Sequence, residues 1–132
     1  MTEKEILEQL RTVPQLGDLN KTENSFDRVD AYNDKCIVEI KGRASHLNYD
    51  SAIIEYDKYD AMKTYNGGKQ ALYVMNKGES VYIFHLNKLD NDGYDYQWED
   101  RGGMPTTTFW NNQRKSKRVG YITWDKAIKV IQ

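Results

Sequence analysis

Asp30 is followed nine positions later by Glu39-Ile40-Lys41, the one carboxylate-x-lysine triplet in the chain. Two carboxylates held a few ångströms apart repel each other and raise each other's pKa, unless a hard divalent cation binds between them through oxygen ligands. Such an ion polarises a phosphate, helps a water lose its proton and neutralises charge on a leaving oxygen. A lysine two residues beyond the second acid projects beside it, where it orients the attacking water or stabilises the transition state. This set of groups is suited to hydrolysis of a phosphodiester.

A tight β-hairpin can bring the three together. Residues Ser25 to Tyr32 and Lys35 to Arg43 read as its strands, with Asn33-Asp34 as the turn. A two-residue loop between Tyr32 and Lys35 places Asp30 opposite Ile37, and alternation puts Glu39 and Lys41 on the same face. Arg28 falls opposite Glu39. Cys36, Val38 and Ile40 point the other way, giving one apolar face for a core and one charged face. A three-residue loop shifts the parity by one and substitutes Asp27 for Asp30, so Asp27 is the reserve candidate.

The segment Asp30…Glu39-Ile40-Lys41 resembles the metal-binding core of the PD-(D/E)XK nucleases, which include restriction endonucleases, Holliday-junction resolvases and many phage nucleases. The resemblance implies that Asp30 and Glu39 are Mg²⁺ or Mn²⁺ ligands, that the main-chain carbonyl of Ile40 is a third, and that Lys41 is the catalytic lysine. The chain departs from the motif in having Val29 where a proline often precedes the aspartate. Members of the superfamily also send a polar residue from the helix after the Glu-x-Lys strand toward the scissile phosphate, and Lys58 matches that position. The bland alternative for Lys58 is a solvated lysine pairing with nearby acids. Some members add a glutamate from the first helix, a part that Glu8 would take.

The surrounding pattern fits the same order of helix, hairpin, helix and strand. Thr2 caps an amphipathic first helix, with Glu5 completing a capping box and Ile6, Leu7, Leu10 and Val13 as its buried stripe. Pro14 to Asn24 reads as a linker. Tyr49 to Tyr65 is a mostly helical pattern that starts near Glu55 and stops at Gly67-Gly68. Strands follow at Gln70 to Met75 and Ser80 to Leu86, turned at Asn76-Lys77-Gly78, which predicts a right-handed crossover onto the sheet. Leu89 to Arg101 is an acidic excursion with a short strand at Tyr94 to Trp98. Its acids Asp90, Asp92, Asp95, Glu99 and Asp100 lack the spacing of a calcium loop and read as solvated.

At 132 residues the chain reads as a single domain, 1–132. With a net charge of −1 it offers no global attraction for a polyanion, so nucleic acid would need a local basic patch. Arg114, Lys115, Lys117 and Arg118 supply one ahead of an apolar strand at Val119 to Trp124, and no acid occurs from Met104 through Thr123. Phe109 and Trp110 can stack on bases, and Asn111, Asn112 and Gln113 can bond to phosphates or base edges. Arg43, at the end of the Lys41 strand, and Lys58 join the nucleic-acid-binding set. Of the ten tyrosines, Tyr73, Tyr82 and Tyr121 sit at strand positions that suit a core, while Tyr32, Tyr49 and Tyr56 lie near the proposed site.

Other chemistries are excluded by inventory. One cysteine forms no internal disulfide and suits a reducing, cytoplasmic setting. His46 and His85 are too few and too isolated for zinc, and no glycine-rich phosphate loop, membrane span or signal peptide is present. The sequence therefore predicts an α/β fold with a restriction-endonuclease-like core, a central mixed sheet flanked by helices. The expected activity is Mg²⁺- or Mn²⁺-dependent endonucleolytic hydrolysis of DNA, with branched or structured DNA as a candidate substrate. Small phage-type members often dimerise to cut two strands, which implies a homodimer. The alternatives are an inactive nucleic-acid-binding or scaffold protein of the same fold, or an RNA-directed nuclease.

Overall fold

A computed structural model describes residues 1–22, 29–44, 49–105 and 114–132, with only the backbone for 103–105 and 114–116. The chain runs through α1 (Glu3–Leu10), β1 (Asn20–Lys21), β2 (Ala31–Tyr32), β3 (Cys36–Lys41), β4 (Ser51–Glu55), α2 (Tyr56–Thr64), β5 (Gln70–Lys77), β6 (Ser80–His85), α3 (Leu86–Asn91), β7 (Glu99–Pro105), β8 (Arg114–Thr123) and β9 (Lys129–Ile131). The fold is mixed α and β. Its main sheet has the order β1-β2-β3-β5-β6-β9, and a second sheet has the order β4-β8-β7. Among the described residues only β3 and β5 pair in parallel; the other pairs of neighbours are antiparallel.

Alternation along the central strands divides the core into two layers. Cys36, Val38 and Ile40 of β3, with Leu72 and Val74 of β5 and Val81 and Ile83 of β6, face Ile6, Leu7 and Leu10 of α1. Ile37, Ala71, Tyr73, Met75 and Phe84 face the other way, onto Ala52 and Ile54 of β4, Ile122 of β8 and Met62 of α2. The predicted capping box at Thr2 and Glu5 and the buried stripe of α1 are both present.

The hairpin register differs from the expectation. Ala31 pairs with Val38 and Tyr32 with Ile37, so Ile37 does not face Asp30. Asn33 is the reason: its main-chain N–H donates to the Cys36 carbonyl, and its side-chain oxygen accepts from the N–H groups of Lys35 and Cys36. That Asx-type arrangement moves the turn one residue on, to Asp34-Lys35. The resulting slip is by two residues, which preserves parity and leaves Glu39 and Lys41 on the predicted face. That face is a second core rather than a charged surface, since Ile37 and Glu39 are both buried there. Arg28 and the reserve Asp27 lie outside the described residues.

Three further expectations change. Ile53 and Ile54, counted in a helical pattern, belong to β4, where β-branched side chains suit pairing with β8; the helix itself starts just after Glu55 as expected. Residues 94–98 form no strand, and α3 and β7 occupy the two ends of the supposed excursion. Asp90 is not merely solvated: its carboxylate accepts from the hydroxyls of Tyr59 and Tyr96 and pairs with Lys63 at 2.9 Å, tying α3 to α2. Between them, Tyr96 and Trp98 pack where Gly120 of β8 leaves room; a Cβ there would lie 2.9 Å from the Trp98 ring and from the Tyr96 Cβ. No helix among the described residues is long and apolar enough to cross a membrane.

Only two polar or charged side chains are buried among the described residues, Glu39 and Asn76. Asn76 is fully engaged with main chain. Its oxygen accepts from the Arg43 N–H at 2.6 Å, and its amide donates to the carbonyls of Arg43 at 2.9 Å and Gly78 at 2.8 Å. The side chain thus continues the β3–β5 ladder one step past Lys41. Asn76→Ala removes these bonds and strands buried main-chain groups, so it should lower the unfolding free energy by about 1–3 kcal/mol in urea titrations. An unchanged midpoint would show that the ladder extension is dispensable.

Candidate active site

The C-terminal half of β3 delivers the candidate residues to one end of the central sheet. In an extended strand the N–H and C=O of one residue point to the same side. Odd residues of β3 bond toward β5, and even residues bond toward β2. Since β2 stops at Ala31, Ile40 has no strand partner on that side. Asp30 fills the gap: its Oδ2 accepts from the Ile40 N–H at 2.7 Å, while its own N–H donates to the Val38 carbonyl. The Ile40 carbonyl consequently faces the Asp30 side, as a main-chain ligand would need to.

Glu39 lies next to Tyr73 across the parallel pair and is only 7% exposed. Burial, and then the charge of Asp30, push its carboxyl up to about 7 from an ordinary value of 4.5. Lys58, from the first turn of α2, opposes this with its ammonium 3.5 Å from Glu39 Oε1. Asp30, Glu39 and Lys58 are therefore brought together. Lys41 joins Glu39, Arg43, Ile53, Glu55, Lys58 and Tyr73 around a cleft of about 40 Å³. That is room for an ion or a few waters and not for a nucleotide, so any large substrate must lie across the mouth.

Glu8 does not take the helix role. Both Glu8 and Glu3 are exposed on α1, but Glu3, in the first turn, feels the charges of Asp30, Lys41 and Lys58, and its carboxyl is raised above its usual range by desolvation and by Asp30. Gly42 allows this approach, because a Cβ there would meet the Met1 carbonyl oxygen at 2.5 Å. Glu55 is a second acid that sequence reading missed as a site residue. It ends β4 at the cleft and is held by Lys117 at 3.2 Å. Only the antiparallel pairing of β4 with β8 brings this pair together, and no local spacing announces it.

The basic segment is split by strand alternation. Lys117 turns to Glu55, and Arg118 lies over the Tyr56 ring at 5.1 Å. The side chains of Arg114 and Lys115 lie outside the described residues, as do His46, Phe109, Trp110, Asn111, Asn112 and Gln113. Arg43 lines the cleft and stands over Tyr49 at 5.6 Å, with a buried Nε that has no hydrogen-bond partner among the described residues. Tyr73, also in the cleft, gives its hydroxyl proton to the Ile53 carbonyl, and burial raises its pKa.

No group of three or more His, Cys, Asp or Glu side chains among the described residues is arranged to hold a metal ion. The narrower set expected here, Asp30 and Glu39 with the Ile40 carbonyl, consists of hard oxygen donors, and the charge of Asp30 disfavours ionisation of Glu39 in a way a bound cation would relieve. The donor chemistry therefore suits Mg²⁺ or Mn²⁺. Comparisons with protein-family models, with curated proteins and with solved structures give no significant match.

The Glu39 environment has a measurable consequence. In the unfolded chain this carboxyl ionises near 4.5 and in the fold near 7, so the folded state keeps a proton that the unfolded state has lost between those values. Stability linked to Glu39 is complete below about pH 4.5 and is lost as pH rises through 7. In chelator, Glu39→Gln should match the wild type near pH 4.5 and exceed it by on the order of 1–3 kcal/mol at pH 8.5. Thermal melts across that range check this, and a difference independent of pH would contradict it.

Proposed function

We propose that the chain is a metal-dependent nuclease domain with a restriction-endonuclease-like core, acting on DNA phosphodiester bonds. The observation that carries this reading is the convergence of Asp30, Glu39, Lys41 and Lys58 at one end of β3, with the acid-x-lysine pair on the face that parity predicted. The parallel β3–β5 pair, with α2 in the connection and α1 across the opposite face, supports the core assignment. The second sheet, β4-β8-β7, is an addition to that core.

Asp30, Glu39 and the Ile40 carbonyl would hold Mg²⁺ or Mn²⁺, which supplies Lewis acidity toward a phosphate oxygen and a bound water. The chain's own groups do the positioning. Asp30 is fixed by the Ile40 N–H, and Glu39 is fixed by burial beside Tyr73. Lys41 forms no ion pair with a described residue, which leaves its ammonium for the water or for charge on the phosphate. Arg43 and Lys58 lie at the same cleft, and Arg118 of β8 lies over Tyr56 at the start of α2, while Lys117 is committed to Glu55. Nucleic acid would track this strand across the cleft mouth.

A second reading, a non-catalytic DNA-binding or scaffold protein of the same fold, draws on one observation: Glu39 has an ion-pair partner within the chain, Lys58. An RNA-directed nuclease would use the same residues. Cleavage of labelled duplex, flap, junction and single-stranded DNA, and of matched RNA, in Mg²⁺, Mn²⁺ or chelator separates the three. Metal-dependent DNA cleavage is expected, with Lys41→Ala slowing it by at least about 100-fold while leaving the melting temperature close to wild type. Binding without cleavage would favour the scaffold, and cleavage confined to RNA would redirect the substrate. Light scattering should give the mass of a homodimer, the arrangement that would let paired sites cut two strands.

A further inference from the structure

Granted the nuclease site proposed above, we propose that Lys58 is a resident counter-ion which a divalent cation must displace, and that its displacement hands the ammonium to the substrate's phosphate. The Lys58 Nζ stands 3.5 Å from Glu39 Oε1, and the two partners differ sharply in freedom. The Glu39 side chain is 10% exposed and set in the middle of a sheet, whereas that of Lys58 is 49% exposed at the start of a helix. Lysine is thus the movable member.

Space and charge both make the exchange obligatory. A divalent ion takes carboxylate oxygens at about 2.0–2.1 Å and tolerates little distortion of its octahedron. An ammonium 3.5 Å from the same Glu39 oxygen would crowd and repel that ion. No other acid at the cleft wall is free to retain Lys58, because Glu55 is already engaged by Lys117. A lysine leaving Glu39 moves toward the cleft mouth, where an anionic backbone would lie.

The contrast with Asn76 supports an exchangeable role. That other buried polar side chain is held by three main-chain bonds, while the only ion-pair partner of Glu39 among the described residues is one half-exposed lysine. An ion pair with so mobile a partner holds Glu39 less firmly than fixed main-chain bonds hold Asn76, and is more readily exchanged.

The test is Mg²⁺ titration by calorimetry at pH 8.5 on wild type, Lys58→Met, Lys58→Arg and Glu39→Gln. Lys58→Met should bind Mg²⁺ about tenfold more tightly than wild type, Lys58→Arg should restore the weaker binding, and Glu39→Gln should abolish it. Binding seen only in Lys58→Met would also support the exchange. Equal or weaker binding by Lys58→Met, with loss in Glu39→Gln, would overturn the exchange and leave the metal site standing. Silence in all four proteins would remove both. In the second readout, Ca²⁺ should strengthen binding of a short DNA duplex more in wild type than in Lys58→Met, and equal strengthening would overturn the hand-over to phosphate.

Discussion

A buried carboxylate in the central sheet, Glu39, sets the terms for the end of the molecule where it lies. Its burial and the charge of Asp30 both disfavour ionisation, and only a half-exposed lysine works against them. An apolar residue of similar size would suit the second core layer better, given the company of Ile37, Tyr73 and Met75 on the same face. The arrangement costs stability at neutral pH and above, in keeping with the metal-binding role proposed for Glu39.

Several local devices hold that costly group in place. β2 is only two residues long, and its early end exposes the Ile40 N–H, which Asp30 then satisfies with its side chain. One hydrogen bond thus closes the sheet edge and aims a second acid at the first. On the other side Asn76 extends the β3–β5 ladder as far as Arg43, and Gly42 admits the start of α1 against the end of β3. Each device acts at the end of one strand, from Ile40 to Arg43, where a shift of a single residue would exchange the faces of Glu39 and Ile40.

Parity, the first helix and the crossover were legible in the sequence because each rests on short-range rules. Alternation from Cys36 to Lys41 assigns faces whichever even slip the hairpin adopts, and Thr2 with Glu5 marks the helix start without tertiary help. The precise register was not legible, since Asn33 could serve as a turn residue or as the acceptor that moves the turn onward. The Ile53-Ile54 strand was hidden by its continuity with α2, and its identity depends on pairing with β8, more than sixty residues away. Glu3 and Glu55 escaped for the same reason: Glu3 reaches the site through the contact of α1 with the end of β3, and Glu55 through the second sheet. The family resemblance drew attention to the first helix, but the residue that approaches the site is Glu3 rather than Glu8.

Charge at the cleft resolves an apparent conflict between a chain of net charge −1 and a polyanionic substrate. Around the cleft and at its rim, Asp30, Glu39 and Glu55 are set against Lys41, Arg43, Lys58 and Lys117. With these acids ionised the local balance is positive by one, or zero when Glu3 at the start of α1 is counted, and a divalent ion bound there would raise it. Two of the four cations are paired to those acids, so their charge is partly committed. Lys41 and Arg43 make no ion pair with a described residue, and both project from the end of β3. On the function proposed above, attraction for phosphate would come from these two cations and from the ion that Asp30 and Glu39 would hold. Away from this cleft a net charge of −1 offers nucleic acid no attraction, so on the proposed reading binding would be concentrated where the acids, the ion and the uncommitted cations meet.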